Sequence, residues 1–317
     1  MTALRKLSVS ALVSGLCVVG FSASTMTASL AAGAGAVGAR VSLPGLPIPN
    51  LVDNGGFSRP LLSSGWVPEV PPKQALPGWT VGGTGIDVVS GSWWTPPLGA
   101  PQSINLATPS GGPGTLTQMV RTTSGWSYRL EWYAAGDEDC GQSPKVMHVF
   151  WGGALVASPS MSTAGHSHSS MGWALKRQIV VASGPNSALM FADATPDKSA
   201  CAAALAKVSL AADAGIYFAS TTFTIAPNGK LVAQVRTPKG ATLTDPSLVV
   251  RVYAAYRQPS YVPPATYVVA SGTVVNGQAN LALHLPRSLA GQTLVVDVVM
   301  SGPQYIPVTK QLTLKVS

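Results

Sequence analysis

Apolar and polar positions alternate with a period of two along most of this chain, and no stretch of useful length repeats every three to four residues. In "SYRLEWYAA", Tyr128, Leu130, Trp132 and Ala134 fall on one face while Arg129, Glu131 and Tyr133 fall on the other. That spacing predicts a half-buried β-strand, because successive side chains point to opposite sides of a pleated sheet. "KLVAQVRT" and "TLVVDVVM" follow the same rule, with Gln234, Arg236 and Asp297 expected to face out. Further strands are predicted at "IDVVS", "QSINLA", "GTLTQMV", "KVMHVFWGG", "LKRQIVVAS", "ALMFADA" and "AKVSLAA". The runs are short and separated by turn residues, which predicts antiparallel sandwiches.

Around Asp213 to Ala219 the texture changes from Trp-rich and turn-rich to Val-rich, without Trp or Cys. A domain boundary is expected there, giving a first domain over 50–212 and a second over 213–317. The second part offers six or seven strands, among them "STTFTIA", "LVVRVYAAY", "TYVVASGTVV", "ANLALHL" and "KQLTLKV". "APNGK" and "VNGQ" read as hairpin turns, since Asn-Gly suits the positive φ angles of tight turns. An immunoglobulin-like sandwich fits this pattern, without the Cys…Trp…Cys mark of a true immunoglobulin domain.

The beginning of the chain reads differently. Arg5 and Lys6 precede "LSVSALVSGLCVVGF", an uncharged run too short to span a bilayer, followed by small residues that include Ala32-Gly33-Ala34. This is the layout of a secretory signal peptide, assigned to 1–39 with a linker over 40–49, and it predicts a secreted or surface-associated protein. Cys17 lies inside the apolar run after Leu16, where a lipoprotein signal would need a small residue, so it is expected to leave with the signal. No later run is long enough for a transmembrane helix. Cys140 and Cys201 then remain, an even pair in an exported chain, and a disulfide is expected.

Charge divides the chain as texture does. Residues 44–213 carry nine basic and ten acidic groups, whereas 214–317 carry eight basic and two acidic ones. Outside a cell a basic second domain suits anionic wall polymers, acidic polysaccharides or lipid headgroups rather than nucleic acid, or simply keeps the protein in solution. Tyr256, Tyr261 and Tyr267 with Arg251 and Arg257 form an aromatic and basic segment there, either a glycan grip or a Pro-bearing crossover loop.

Candidate chemistry is sparse. "GDEDCGQ" gathers Asp137, Glu138 and Asp139 beside Cys140. Clustered oxygens suit calcium, yet three adjacent acids cannot all face one ion, and a solvated turn beside a disulfide is expected instead. A glycosidase needs two carboxylates across a cleft, for which Asp87 and Glu131 are the available pair. His166 and His168, with His148 as a third, have the spacing of a partial zinc or copper site, set against a polar hairpin without a ligand. No Gly-x-Ser-x-Gly surrounds the serines near them. Trp93 and Trp94 sit in the turn-rich "SGSWWTPPLG". Aromatic faces stack on sugars at small entropic cost, and with adjacent side chains diverging at most one of the pair is expected to meet a ligand, the other plugging the sandwich. Trp79, Trp132 and Trp173 are expected in the core. No complete catalytic set is present, so no enzyme, no cofactor and no resident metal are expected.

Read in order, "NLVDNGGFSRP", "LPGWTVGGTGIDVVSGSWWTPPLGAPQSINLA", "GTLTQMVRTTSGWSYRLEWYAAGDEDC", "SSMGWALKRQIVV" and "CAAALAKVSL" carry a resemblance across about residues 50 to 211. Asn54-Gly55-Gly56-Phe57, Pro77-Gly78-Trp79 followed by Ile86-Asp87, Gly136-Asp137…Cys140 and the Cys201 segment are its most specific pieces. They resemble the domain-of-unknown-function 642 family of plant cell-wall proteins and its bacterial secreted relatives, whose domains are galactose-binding-like jelly rolls. The resemblance implies a non-enzymatic, polysaccharide-associated domain. Where the family usually shows acids, this chain has Ser58 and Leu205-Ala206-Lys207-Val208, which argues against a structural calcium there.

The expectation is therefore all-β: a galactose-binding-like jelly roll followed by an immunoglobulin-like sandwich, secreted, binding cell-wall or other extracellular polysaccharide through Trp93, Trp94, Asp87, Asp137 and Asp139. The competing expectations are a structural or adhesive surface protein without a sugar site, and a glycan-active hydrolase.

Overall fold

The computed structural model describes residues 49–317 apart from 73–74, 142–143, 198–199, 239 and 257–264. The expected signal peptide, Cys17 and all but the end of the linker lie outside the described residues, as do Arg257 and Tyr261.

Twenty-one strands are formed, and a single 3-10 turn at Arg287–Leu289 is the only helical element among the described residues. The first thirteen are β1 (Trp66–Val70), β2 (Ala75–Leu76), β3 (Trp79–Gly83), β4 (Ile86–Ser90), β5 (Gln102–Asn105), β6 (Gly114–Arg121), β7 (Ser127–Gly136), β8 (Lys145–Trp151), β9 (Ala154–Ala157), β10 (Ser160–Met161), β11 (Ala174–Val181), β12 (Asn186–Asp193) and β13 (Ala203–Ala212). One sheet runs β1-β4-β5-β13-β7-β11 and the facing sheet β2-β3-β6-β12-β8, with β9 and β10 beside β8; every neighbouring pair is antiparallel. From β6 to β7, β8, β11, β12 and β13 the chain passes from one sheet to the other and back, the winding of a jelly roll.

Period-two alternation is what lets the two sheets close on each other. Tyr128, Leu130, Trp132 and Ala134 of β7 point inward and are buried, as expected, against Leu116, Val149, Leu189 and Phe191 of the facing sheet. Trp132 sits 5.8 Å from Phe191, ring centre to ring centre, and Phe57 packs on Trp79 at 5.7 Å.

The remaining strands are β14 (Gly215–Tyr217), β15 (Thr222–Ile225), β16 (Lys230–Arg236), β17 (Asp245–Tyr256), β18 (Ala265–Val275), β19 (Gln278–Ala282), β20 (Thr293–Gly302) and β21 (Tyr305–Val316). They pair as β14-β16-β19-β18 and β15-β21-β20-β17-β18, with β15 parallel to β21 and every other pair antiparallel. The first strand is split so that its two halves join opposite sheets, and β18 pairs with both, which is the immunoglobulin-like arrangement. Leu231, Val250, Leu281, Val296, Val298 and Leu314 fill the space between the layers.

Three expectations change. Asn276 and Gly277 have φ of 49° and 70° and do form the tight hairpin between β18 and β19, but "APNGK" joins β15 to β16 in opposite sheets. Neither Asn228 nor Gly229 adopts the positive φ that a hairpin of that kind requires. Asp297 is buried, not outward in water: β20 is an inner strand, so Tyr253 and Gln311 of its two neighbours flank that position. Arg251, Tyr256 and Tyr267 belong to β17 and β18 rather than to one loop. Tyr256 is buried and stacks on Tyr267 at 4.6 Å, while Arg251 donates to Ser301 Oγ at 3.4 Å.

The end of β13 meets the start of β21 in a parallel bridge, where Ala212 N donates to Gln304 O at 2.8 Å. Trp126 lies 5.5 Å from Tyr305, and the main apolar cores of the two sandwiches form one contiguous cluster.

Candidate binding cleft on the outer face of the first sandwich

The period-two rule that turns Ile86, Val88 and Ile104 into the core turns Asp87, Val89, Ser103 and Asn105 onto the outer face of the same sheet. Register then aligns them in a row. Asp87 of β4 is opposite Asn105 of β5, Asn105 is opposite Ala204 of β13, and Ala204 is opposite Ala135 of β7. The row therefore runs from two polar side chains to two methyl groups, and the small end leaves space above the sheet. Trp94 fills part of it, packing with Val89, Ala135, Met171 and Ala204 in a second, smaller apolar cluster. Its indole N–H donates to Ser103 Oγ at 2.5 Å, which satisfies the polar end of a side chain only 2 % exposed.

Beside Trp94 lies a cavity of about 210 Å³, lined by Trp66, Asp87, Val89, Trp93, Trp94, Asn105, Pro109, Asp137, Asp139, Ala200 and Cys201. All five residues singled out from the sequence as ligand candidates, Trp93, Trp94, Asp87, Asp137 and Asp139, line this one space. The two tryptophans differ as adjacent residues should. Trp94 is a plug, whereas Trp93 is 41 % exposed, between Trp66 at 5.9 Å and His168 at 5.2 Å.

The loop carrying both tryptophans is held from outside. Thr95 N donates to His168 O at 2.7 Å, and Trp173 Nε1 donates to Thr95 O at 2.8 Å. Trp173 thus stands just before β11, half-buried against the small outer cluster, rather than in the sandwich core with Trp79 and Trp132. On the opposite side, Cys140 and Cys201 are joined in the expected disulfide, with Cα atoms 5.6 Å apart. The bond ties the loop after β7 to the segment entering β13.

Asn105 is the hub that sequence reasoning missed. Its Nδ2 donates to Ala200 O at 2.9 Å and to Asp137 Oδ2 at 3.3 Å, and its Oδ1 accepts from Ala202 N at 3.2 Å. A polar residue at an outward position of "QSINLA" was the signal available. Asp137 is buried as well, and desolvation pushes its carboxyl up to about 6. The hydrogen bond from Asp139 N opposes the rise, the charges of Asp139 and Glu138 add to it, and buried Lys145 opposes it.

Other candidates are elsewhere. Glu131 accepts from Arg177 Nε at 2.7 Å and lies three outward positions back along β7 from Asp137, roughly 20 Å away, so it is not placed across a cleft from Asp87. His148 is on β8 of the facing sheet, beside Phe150 rather than beside the other histidines. His166 lies against Gly172. At the place where the resembled family carries an acid in its last strand, Lys207 Nζ donates to Leu98 O at 2.8 Å and lies 5.5 Å from the centre of the Tyr133 ring.

No family model and no curated protein matches the chain. The resemblance of residues 50 to 211 to the domain-of-unknown-function 642 family is thus not matched by a family model. Among solved structures, TmCBM61 in complex with β-1,4-galactotriose is similar over 52 % of this chain and 99 % of its own, at 18 % identity and a TM-score of 0.35. A family 35 carbohydrate-binding module from Clostridium thermocellum covers 45 % of this chain and 97 % of its own, at 13 % identity and 0.31. The adhesin domain of Epf from Streptococcus pyogenes covers 80 % and 84 %, at 9 % identity and 0.32. At TM-scores this low, these likenesses decide nothing about this chain's ligand.

Proposed function

We propose that this protein is a secreted, non-catalytic carbohydrate-binding protein of cell-wall or other extracellular polysaccharide, related to the domain-of-unknown-function 642 group. The observation that carries this reading is Trp93: a partly exposed indole lining a cavity that also offers the polar side chains of Asp87, Asn105, Asp137 and, at its rim, Asp139. A sugar presents C–H faces to an aromatic ring and hydroxyls to carboxylates and amides, and this cavity supplies both kinds of partner side by side. The basic second sandwich adds long-range attraction to anionic polymers, which falls as salt rises.

A glycan array with the mature protein tests the proposal. Binding to at least one neutral or acidic polysaccharide, lost in Trp93→Ala, is expected; no binding to any polymer rejects it in favour of a structural or adhesive role. Asp87 and Asp137 on one cavity favour glycoside hydrolysis as a second reading, because that chemistry needs two carboxylates around one substrate. Release of reducing sugar that disappears in both Asp87→Asn and Asp137→Asn would establish it.

A further inference from the structure

Two anchored loops bring Glu138, Asp139 and His168 together at the rim of the cleft. His168 Nε2 lies 2.7 Å from Asp139 Oδ1 and 3.9 Å from Glu138 Oε1, and one donor atom from each residue falls within 4.8 Å of the other two. The acidic loop is fixed next door by the disulfide at Cys140, and the histidine loop by the bond from Thr95 N to His168 O. The imidazole is further held against Trp93. The donors are thus positioned by parts of the chain unrelated to any ion. Metal–ligand bonds of about 2.0–2.2 Å in a tetrahedron put neighbouring donor atoms roughly 3.4 Å apart, inside the range of separations present here.

A second observation points the same way. Glu138 Oε2, the second oxygen of the carboxylate whose Oε1 lies 3.9 Å from His168 Nε2, is buried and has no hydrogen-bond partner among the described residues, although the side chain as a whole is 18 % exposed. An unpartnered carboxylate oxygen loses its hydration with nothing in return, and a cation is the group that would restore it. Asp137, the third acid of the run, turns away to Asn105, so the two acids that remain face one histidine rather than each other's neighbours.

We propose that Glu138, Asp139 and His168 form a binding site for a single divalent transition-metal ion of the zinc class. The nitrogen donor selects such an ion over calcium or magnesium, which prefer all-oxygen shells. Asp139 also lines the cavity, so an ion held by it would sit at the rim where a ligand enters.

The test is calorimetric titration of the metal-stripped, disulfide-intact protein with zinc, and with calcium in parallel. One zinc per chain is expected, with affinity at least about tenfold weaker in both His168→Ala and Glu138→Gln. His166→Ala, which alters a ring outside the cluster, should leave it unchanged. Thermal melting of each variant shows that it is folded, and Glu138→Gln keeps the side chain's shape. Absence of zinc binding, binding unaffected by both cluster variants, or calcium bound as tightly as zinc would overturn the proposal. No sugar enters this measurement: zinc binding without glycan binding would leave the metal site standing and remove the function proposed above.

Discussion

Replacing both Cys140 and Cys201 with alanine removes a crosslink that closes a loop of 61 residues. On the chain-entropy model that loop is worth about 4 kcal/mol, because the unfolded chain without it regains the freedom the bond had removed. Against the 5–15 kcal/mol typical of whole domains, this is a large fraction. For a sandwich of this size, about 4 kcal/mol corresponds to a fall in Tm of roughly 8–16 °C. Differential scanning calorimetry of wild type and double variant measures it directly. Reductant should lower the wild-type transition to that of the variant and leave the variant where it is. The loop carrying Asp137 and Asp139 is also held by the Asp137 N to Ala202 O bond at 3.1 Å, so the variant still folds. A Tm fall under about 3 °C, or an equal effect of reductant on the variant, would show that the disulfide does not restrain the unfolded chain in this way.

Trp132→Ala removes a large side chain that is 1 % exposed and in contact with Phe191, and it should cost about 3–5 kcal/mol in denaturant unfolding, while Trp93→Ala at the surface should cost under about 1 kcal/mol. Gly277→Ala places a Cβ at φ 70° and 3.2 Å from Val235 O, so a loss of about 1 kcal/mol or more is expected from chemical denaturation. Burial holds the Asp193 carboxyl above its ordinary 3.8, although Thr195 Oγ1 and Ala203 N both donate to it. A raised folded value means stability is full below the ordinary range and declines as pH rises through the folded one. Asp193→Asn, which keeps an acceptor for both donors, should flatten that decline when unfolding is followed from pH 4 upward; parallel slopes in the two proteins would contradict the assignment. Binding of the whole protein to anionic polysaccharide should weaken with added salt, as pull-down at two ionic strengths would show.

The sequence alone determined the fold class, because a two-residue period can be satisfied only by strands with one face buried. It determined the inward set of β7, the Asn276-Gly277 hairpin and the disulfide, each a consequence of local pattern or of counting. Its ligand candidates were found as separate residues, chosen by side-chain chemistry. Only the tertiary structure decided that Asp87, Trp93, Trp94, Asp137 and Asp139 surround one cavity, since strand register between β4, β5, β13 and β7 sets which outward positions adjoin. The same holds for errors. Asp297 is polar on an alternating strand, and whether such a position is wet depends on its flanking strands, which sequence order does not disclose. The clearest case is His168. In the chain no acid stands near it, and in the fold Glu138 and Asp139 do, because two loops separated by β8, β9 and β10 end at the same edge of the sandwich. Local spacing fixes which face a side chain takes; which distant side chains share that face is fixed by how the sheets are wound.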